Sequence, residues 1–203
     1  IREVVRRELA PVCDEISVDP LGNLIARRPG RGGPRVMLSA HLDEIGFMVT
    51  HVDDGGFVRI IPLGGFDPKT LTAQRVLVHG REDLLGVLGS KPVHLMTEEE
   101  KRRVPKLDDY YVDVGLPAER VRELVSPGDV ITRERGMARL GDLGTCKSID
   151  NRAGLYVMIQ AMKALGEHRC EVVAVATVQE EVGLRGARVA TARVRPDIGL
   201  AID

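Results

Sequence analysis

The sequence predicts an α/β fold: a three-layer α/β/α domain interrupted by a small β-rich module of barrel type. Three observations predict it. Nearly unbroken apolar runs at 35–40, 171–178 and 197–203 read as buried strands. Between the first two runs, Leu155, Met158, Ile159, Met162 and Leu165 keep the i, i+3, i+4, i+7 rhythm of an amphipathic helix. From about residue 58 to 133 the texture changes to short β-like runs separated by glycine turns. The expected division is therefore 1–57 and 134–203 as two parts of one α/β domain, truncated after its last strand, with 58–133 inserted as a β-rich domain.

Each element has its own warrant. Ile1, Val4, Val5 and Leu9 give residues 1–10 an amphipathic helical face. The turn Asp19-Pro-Leu-Gly22 separates strands at 15–18 and 23–27. The strand at 46–52 stops at Asp53-Asp-Gly-Gly56. Within the module, runs at 57–61, 75–79, 84–88 and 110–114 are divided by Gly64-Gly65, Gly80 and Gly86, with a short helix at 117–124. Residues 98–103, all charged, read as a solvated stretch. Asp150 stands where the N-cap of the long helix belongs, and residues 184–194 suit a second helix.

Composition excludes several classes. Hydrophobic residues make up 43% of 203, enough for a sizeable core. The 29 basic and 30 acidic residues nearly cancel, so no global field draws nucleic acid or an anionic membrane. The local basic run 27–31 reads as a solvated turn. Cys13, Cys146 and Cys170 are scattered and odd in number, which fits a reducing compartment and a cytoplasmic protein without a disulfide framework. No run of about 18 apolar residues and no leader pattern is present.

The chemistry gathers at strand ends. Ligands of open α/β sheets bind outside the carboxyl ends of the strands. The run 35–40 ends at His41-Leu-Asp43, the run 171–178 at Gln179-Glu180-Glu181, and the last at Asp203. If these strands run parallel, one imidazole and several carboxylates share an edge with Asp150. Carboxylates so close raise one another's pKa unless a counter-charge is present, and divalent metal is the economical one. Mixed imidazole and carboxylate ligands suit zinc, cobalt or manganese. A pair of such ions about 3.5–4 Å apart activates water for hydrolysis.

The motifs His41-Leu-Asp43, Ser148-Ile-Asp150-Asn-Arg-Ala-Gly154, Gln179-Glu180-Glu181-Val-Gly183 and Ala201-Ile-Asp203 resemble the dinuclear metallo-aminopeptidases that include the tetrahedral (TET) particles and glutamyl aminopeptidase-like and endoglucanase-labelled members. Ile61-Pro-Leu-Gly-Gly65-Phe-Asp-Pro68 and Gly86-Val-Leu-Gly-Ser-Lys-Pro-Val-His94 extend the resemblance through the insert. The resemblance implies that the α/β domain is catalytic and that two divalent ions bind. His41 and Asp203 would hold the first, Glu181 the second, and Asp150 would bridge them. It implies Glu180 as general base and Asp43 as the carboxylate orienting His41, with Asn151 in a positioning role. It places one more ligand, a histidine, beyond Asp203, which leaves the second ion's set short by one. It also implies a peptide substrate and a homo-oligomer, dimer to dodecamer, paired through the insert.

Two other readings compete. A glycoside hydrolase would use Glu180 and Glu181 as its acid pair, but neighbours on a strand point to opposite faces, and the chain has no Trp and 3% aromatics for sugar stacking. An inactive assembly module would use the β-rich insert alone.

Overall fold

A computed structural model describes residues 1–203. In chain order the first elements are α1 (Arg2–Leu9), β1 (Glu15–Val18), β2 (Leu24–Arg28), β3 (Arg35–His41), β4 (Gly46–Val52), β5 (Val58–Leu63), β6 (Arg75–His79) and β7 (Asp83–Ser90). They continue with α2 (Glu98–Arg102), β8 (Tyr110–Asp113), α3 (Ala118–Leu124), β9 (Val130–Arg133), β10 (Ala138–Leu140) and β11 (Leu143–Thr145). The last are α4 (Ile149–Ala164), β12 (Glu171–Thr177), α5 (Arg185–Val194) and β13 (Ile198–Ala201). The chain forms two compact units, Ile1–Glu44 with Ser148–Asp203, and Ile45–Lys147.

The first unit is built on a five-stranded sheet in the order β1-β2-β12-β3-β13. The strands β12, β3 and β13 run parallel, the condition under which their ends share one edge, while β2 lies antiparallel to β12. The register sets Thr177 opposite His41 and Ala201 opposite Ser39, so the three carboxyl ends lie level. β12 shows why the run 172–176 is almost wholly apolar: both faces are covered. Val172, Ala174 and Ala176 pack with Val5 and Leu9 of α1 and Leu155, Met158 and Met162 of α4. Val173 and Val175 pack on the other face with Ala190 and Val194 of α5. Two small alanines on the α4 side let the long helix approach the sheet, and larger valines fill the side under the shorter helix.

At the start of β12, Glu171 ties three strands together. Its Oε1 accepts from Arg27 Nη1 at 2.8 Å and its Oε2 from Arg35 Nε at 2.5 Å. Arg27 therefore belongs to an ordered strand and an ion pair, and Arg28 sits beside it on β2, rather than both lying in a solvated turn. The Arg35 hydrogen bond, against the opposing effect of burial and with the help of Arg27, holds the Glu171 carboxyl below its ordinary 4.5. A depressed folded-state pKa stabilises the fold above the unfolded value and is lost as pH falls through the folded one. Glu171→Gln should thus lower stability near neutral pH by about 1 kcal/mol, with the gap closing in acid. Denaturant titrations at neutral and acidic pH check this; an undiminished gap in acid would contradict it.

The second unit is a closed barrel in the order β4-β5-β8-β7-β6-β9. Phe47, Val49, Val58, Ile60, Val76, Val78, Leu88, Val112 and Ile131 fill it, and Val121 and Leu124 of α3 pack into the same core. The boundaries differ from 58 and 133. Strand β4 pairs with β5 and β9, so the barrel closes only when 46–52 is included. The hairpin β10–β11, where the sequence suggests no element, also falls in this unit. The reason is physical: an alternating strand such as β4 fits either sheet, and only its hydrogen-bonding neighbours decide which. The three cysteines are free thiols. No helix is long and apolar enough to cross a membrane.

Candidate metal and active centre

His41 is the last residue of β3 and its side chain is only 3% exposed. Nδ1 lies 3.0 Å from the main-chain oxygen of Asp43. A carbonyl only accepts, so Nδ1 carries a proton; Nε2 is the nitrogen that faces the carboxylates, donating to Asp150 when the ring is protonated and offering its lone pair to a cation when it is neutral. Around Nε2 stand Asp150 Oδ1 at 2.9 Å, Asp203 Oδ1 at 3.6 Å and Glu180 Oε2 at 3.8 Å. Burial opposes a charge on the ring, but Asp43, Glu180 and the bond to Asp150 outweigh it and raise the His41 pKa above 6.5.

The long helix does not begin as expected. Asp150 is not the cap: it and Asn151 both have non-helical φ/ψ, and the side-chain bond to the helix is made by Asn151. The cap is Asn151, whose Oδ1 accepts from Gly154 N–H at 2.9 Å while its Nδ2 donates to Ile202 O at 2.7 Å. A Cβ at Gly154 would collide with the Asn151 side chain, so the cap needs glycine there. The peptide between Asp150 and Asn151 is cis. The division of labour matters. Asn151 satisfies the helix and ties it to the end of β13, and the Asp150 carboxylate is left facing His41.

Glu180 and Glu181 lie beyond β12 in a turn. Gln179, at φ 56°, swings the chain off the strand, and Glu180 O accepts from Gly183 and Leu184, both at 2.9 Å. Strand alternation therefore does not separate these two side chains, which removes that ground for setting aside the glycosidase reading. Asp43 meets this turn. Its Oδ1 accepts from Glu180 N–H and its Oδ2 from Glu181 N–H, each at 3.1 Å. Its carboxylate is 3.6 Å from His41 Nδ1, so the imidazole is held by the Asp43 carbonyl and the glutamate turn by the Asp43 carboxylate.

One nitrogen of His41 and one oxygen each of Asp150 and Glu181 lie within 4.8 Å of one another. The Glu181 pKa is raised, first by burial and then by the charges of Asp150 and Glu180. A cation among these groups would reverse that penalty, because a bound ion is the largest local charge. Arg152 pairs with Glu44 and Arg185 with Gln179. The donors, one buried imidazole nitrogen and several carboxylate oxygens, fit zinc, cobalt or manganese. The six residues singled out in the sequence all come to this edge of the sheet. Asn23, by contrast, is read from sequence only as the start of a strand. It is 0% exposed and bonded to the segment that carries the glutamates.

Residues 22–203 match the family described as M42 glutamyl aminopeptidase. The chain is 40% identical to lysyl aminopeptidase of Pyrococcus furiosus, over all of this chain and 60% of that protein. Its structure is similar to an aminopeptidase of the archaeon Desulfurococcus kamchatkensis, with TM-score 0.92, 38% identity, all of this chain and 56% of that one. It is also similar to the Pyrococcus horikoshii TET1 peptidase, which can assemble into a tetrahedron or a large octahedral shell, with TM-score 0.87, 35% identity, all of this chain and 62% of that one. The chain thus spans about 60% of the length of the curated relatives it matches.

Proposed function

The chain belongs to the M42 glutamyl aminopeptidase family, and from that premise we propose that the whole protein removes amino-terminal residues from peptides with the help of bound divalent metal. The observation that carries this is the buried His41, its Nδ1 fixed by a carbonyl and its Nε2 turned into a cluster of carboxylates.

His41 and Asp203 would hold one ion, Glu181 a second, and Asp150 both; zinc, cobalt and manganese all suit these donors. Bound there, the ions supply Lewis acidity to the scissile carbonyl and lower the pKa of water. Glu180, at the tip of its turn, takes the proton from the attacking water and hands it to the leaving amine. Asp43 holds Glu180 and Glu181 in place through their main-chain N–H groups. The remaining carboxylate oxygens offer acceptors to the substrate's free α-ammonium group, which confines cutting to the chain end.

That last step gives the test. The metal-loaded protein should cleave peptides with a free amino terminus and leave their N-acetylated forms intact. Equal cleavage of both would remove the aminopeptidase reading. The TET1 likeness and the barrel unit support a homo-oligomer, which light scattering of the protein resolves as a mass above that of one chain. The free thiols fit a reducing, cytoplasmic setting.

A further inference from the structure

The segment from Val178 to Gly186 leaves β12, carries Glu180 and Glu181, and returns as α5. Its neck is closed by main-chain bonds, Gly186 N–H to Val178 O at 3.0 Å and Arg185 N–H to Gln179 O at 3.1 Å. A second closure comes from far away in sequence. Asn23 Oδ1 accepts from Val178 N–H at 2.9 Å, and Asn23 Nδ2 donates to Gly186 O at 3.1 Å. One side-chain amide thus bridges both ends of the loop. The orientation of that amide is fixed by its partners, since Val178 N–H needs an acceptor and Gly186 O a donor.

The amide is itself locked. Asn23 Nδ2 also donates to Asp19 Oδ2 at 2.7 Å, and Asp19 Oδ1 accepts from Gly22 N–H at 2.8 Å and Asn23 N–H at 2.9 Å. Both side chains are buried, where a polar group is tolerated only if its hydrogen bonds are made. There is no slack at the neck either: a Cβ on Gly186 would collide with Val178 O and with Asn23 Oδ1. At the other end of the same loop, Asp43 grips the N–H groups of Glu180 and Glu181. The loop is therefore hung between two side chains, and a shift at the neck must be taken up where the two glutamates sit.

We infer that Asn23 is a positioning residue for Glu180 and Glu181: its buried amide, braced by Asp19, fixes the neck of the loop that presents them. The inference rests on the aminopeptidase reading for its kinetic consequence but not for its structural one. It is tested in the full-length, metal-loaded protein with Asn23→Ala and, from the other side of the neck, Gly186→Ala. Hydrogen exchange of 178–186 should speed up on the order of 10–100-fold in Asn23→Ala, which loses two hydrogen bonds to the neck, with β3 and α4 unchanged. In a cobalt titration, one of the bound ions should weaken by about 10–100-fold, and kcat should fall by a similar factor at nearly constant KM.

Exchange, ion affinity and kcat all at wild-type values in a folded variant would overturn the inference. So would an equal acceleration of exchange in the loop, β3 and α4, which marks a merely structural residue. Should Asn23→Ala fail to fold, Gly186→Ala decides by the same readouts. A wild-type protein that cleaves no peptide sinks the aminopeptidase reading instead, and exchange and cobalt binding still decide the role of Asn23.

Discussion

Glu180→Gln in the metal-loaded protein should lower kcat by about 10²–10⁴-fold, the usual contribution of a general base, while bound metal stays at the wild-type level. The amide keeps the shape of the side chain but cannot accept the proton. Its main-chain N–H still bonds Asp43, so the turn and Glu181 keep their places. Glu180 Oε2 stands 3.8 Å from His41 Nε2, beside the proposed ligands, and the side chain is 25% exposed, open enough to meet water. Metal analysis and steady-state kinetics on one preparation check both halves. A kcat within a few-fold of wild type would remove Glu180 from its role. Loss of peptide cleavage with retained sugar cleavage would revive the glycosidase reading.

Asp150→Ala should act on the metal rather than on the fold. As the proposed ligand of both ions, its loss is expected to weaken both and to lower kcat/KM on the order of 10³-fold. Residues that act as one unit are not additive, so the double variant Asp150→Ala, Glu180→Gln should be little worse than the poorer single one. Stability separates this role from an ordinary helix cap. An N-cap aspartate replaced by alanine costs about 0.5–2 kcal/mol. Here Asn151 makes the cap bond, and Asp150 lies among like charges. At a pH high enough that His41 is neutral and its bond to Asp150 no longer contributes, metal-free Asp150→Ala should therefore be as stable as wild type, or more so. A loss of about 1 kcal/mol in the metal-free protein would return Asp150 to the capping role.

The β4 strand and the Asp150 cap show where sequence reading stops. Residues 46–52 have the alternation of a strand, and nothing in that pattern says which sheet they join. Asp150 and Asn151 are both good capping types in adjacent positions, and which of them caps depends on a backbone turn that propensity does not encode. The Asp43 carboxylate is similar. The resemblance implies a carboxylate–imidazole pair between His41 and Asp43, yet the carbonyl of the same residue takes that bond and the carboxylate turns to the glutamates.

By itself the sequence determined the layered α/β class and the barrel-like insert, and it singled out a small set of candidate metal-ligating residues, of which the fold brings His41, Asp150 and Glu181 close enough together to hold a cation. It did so because burial on both faces demands apolar runs, and because chemistry-bearing side chains interrupt such runs only at strand ends. The tertiary structure alone decided the barrel's limits, the cap, the partner of Asp43 and the clamp made by Asn23. All but the local cap bond depend on hydrogen bonds between segments far apart in the chain, among them Asn23 to Val178 and Gly186 and Asp43 to Glu180 and Glu181. A hydrogen bond is directional and short, so it is settled by where the folded backbone places donor and acceptor, which local residue patterns do not specify.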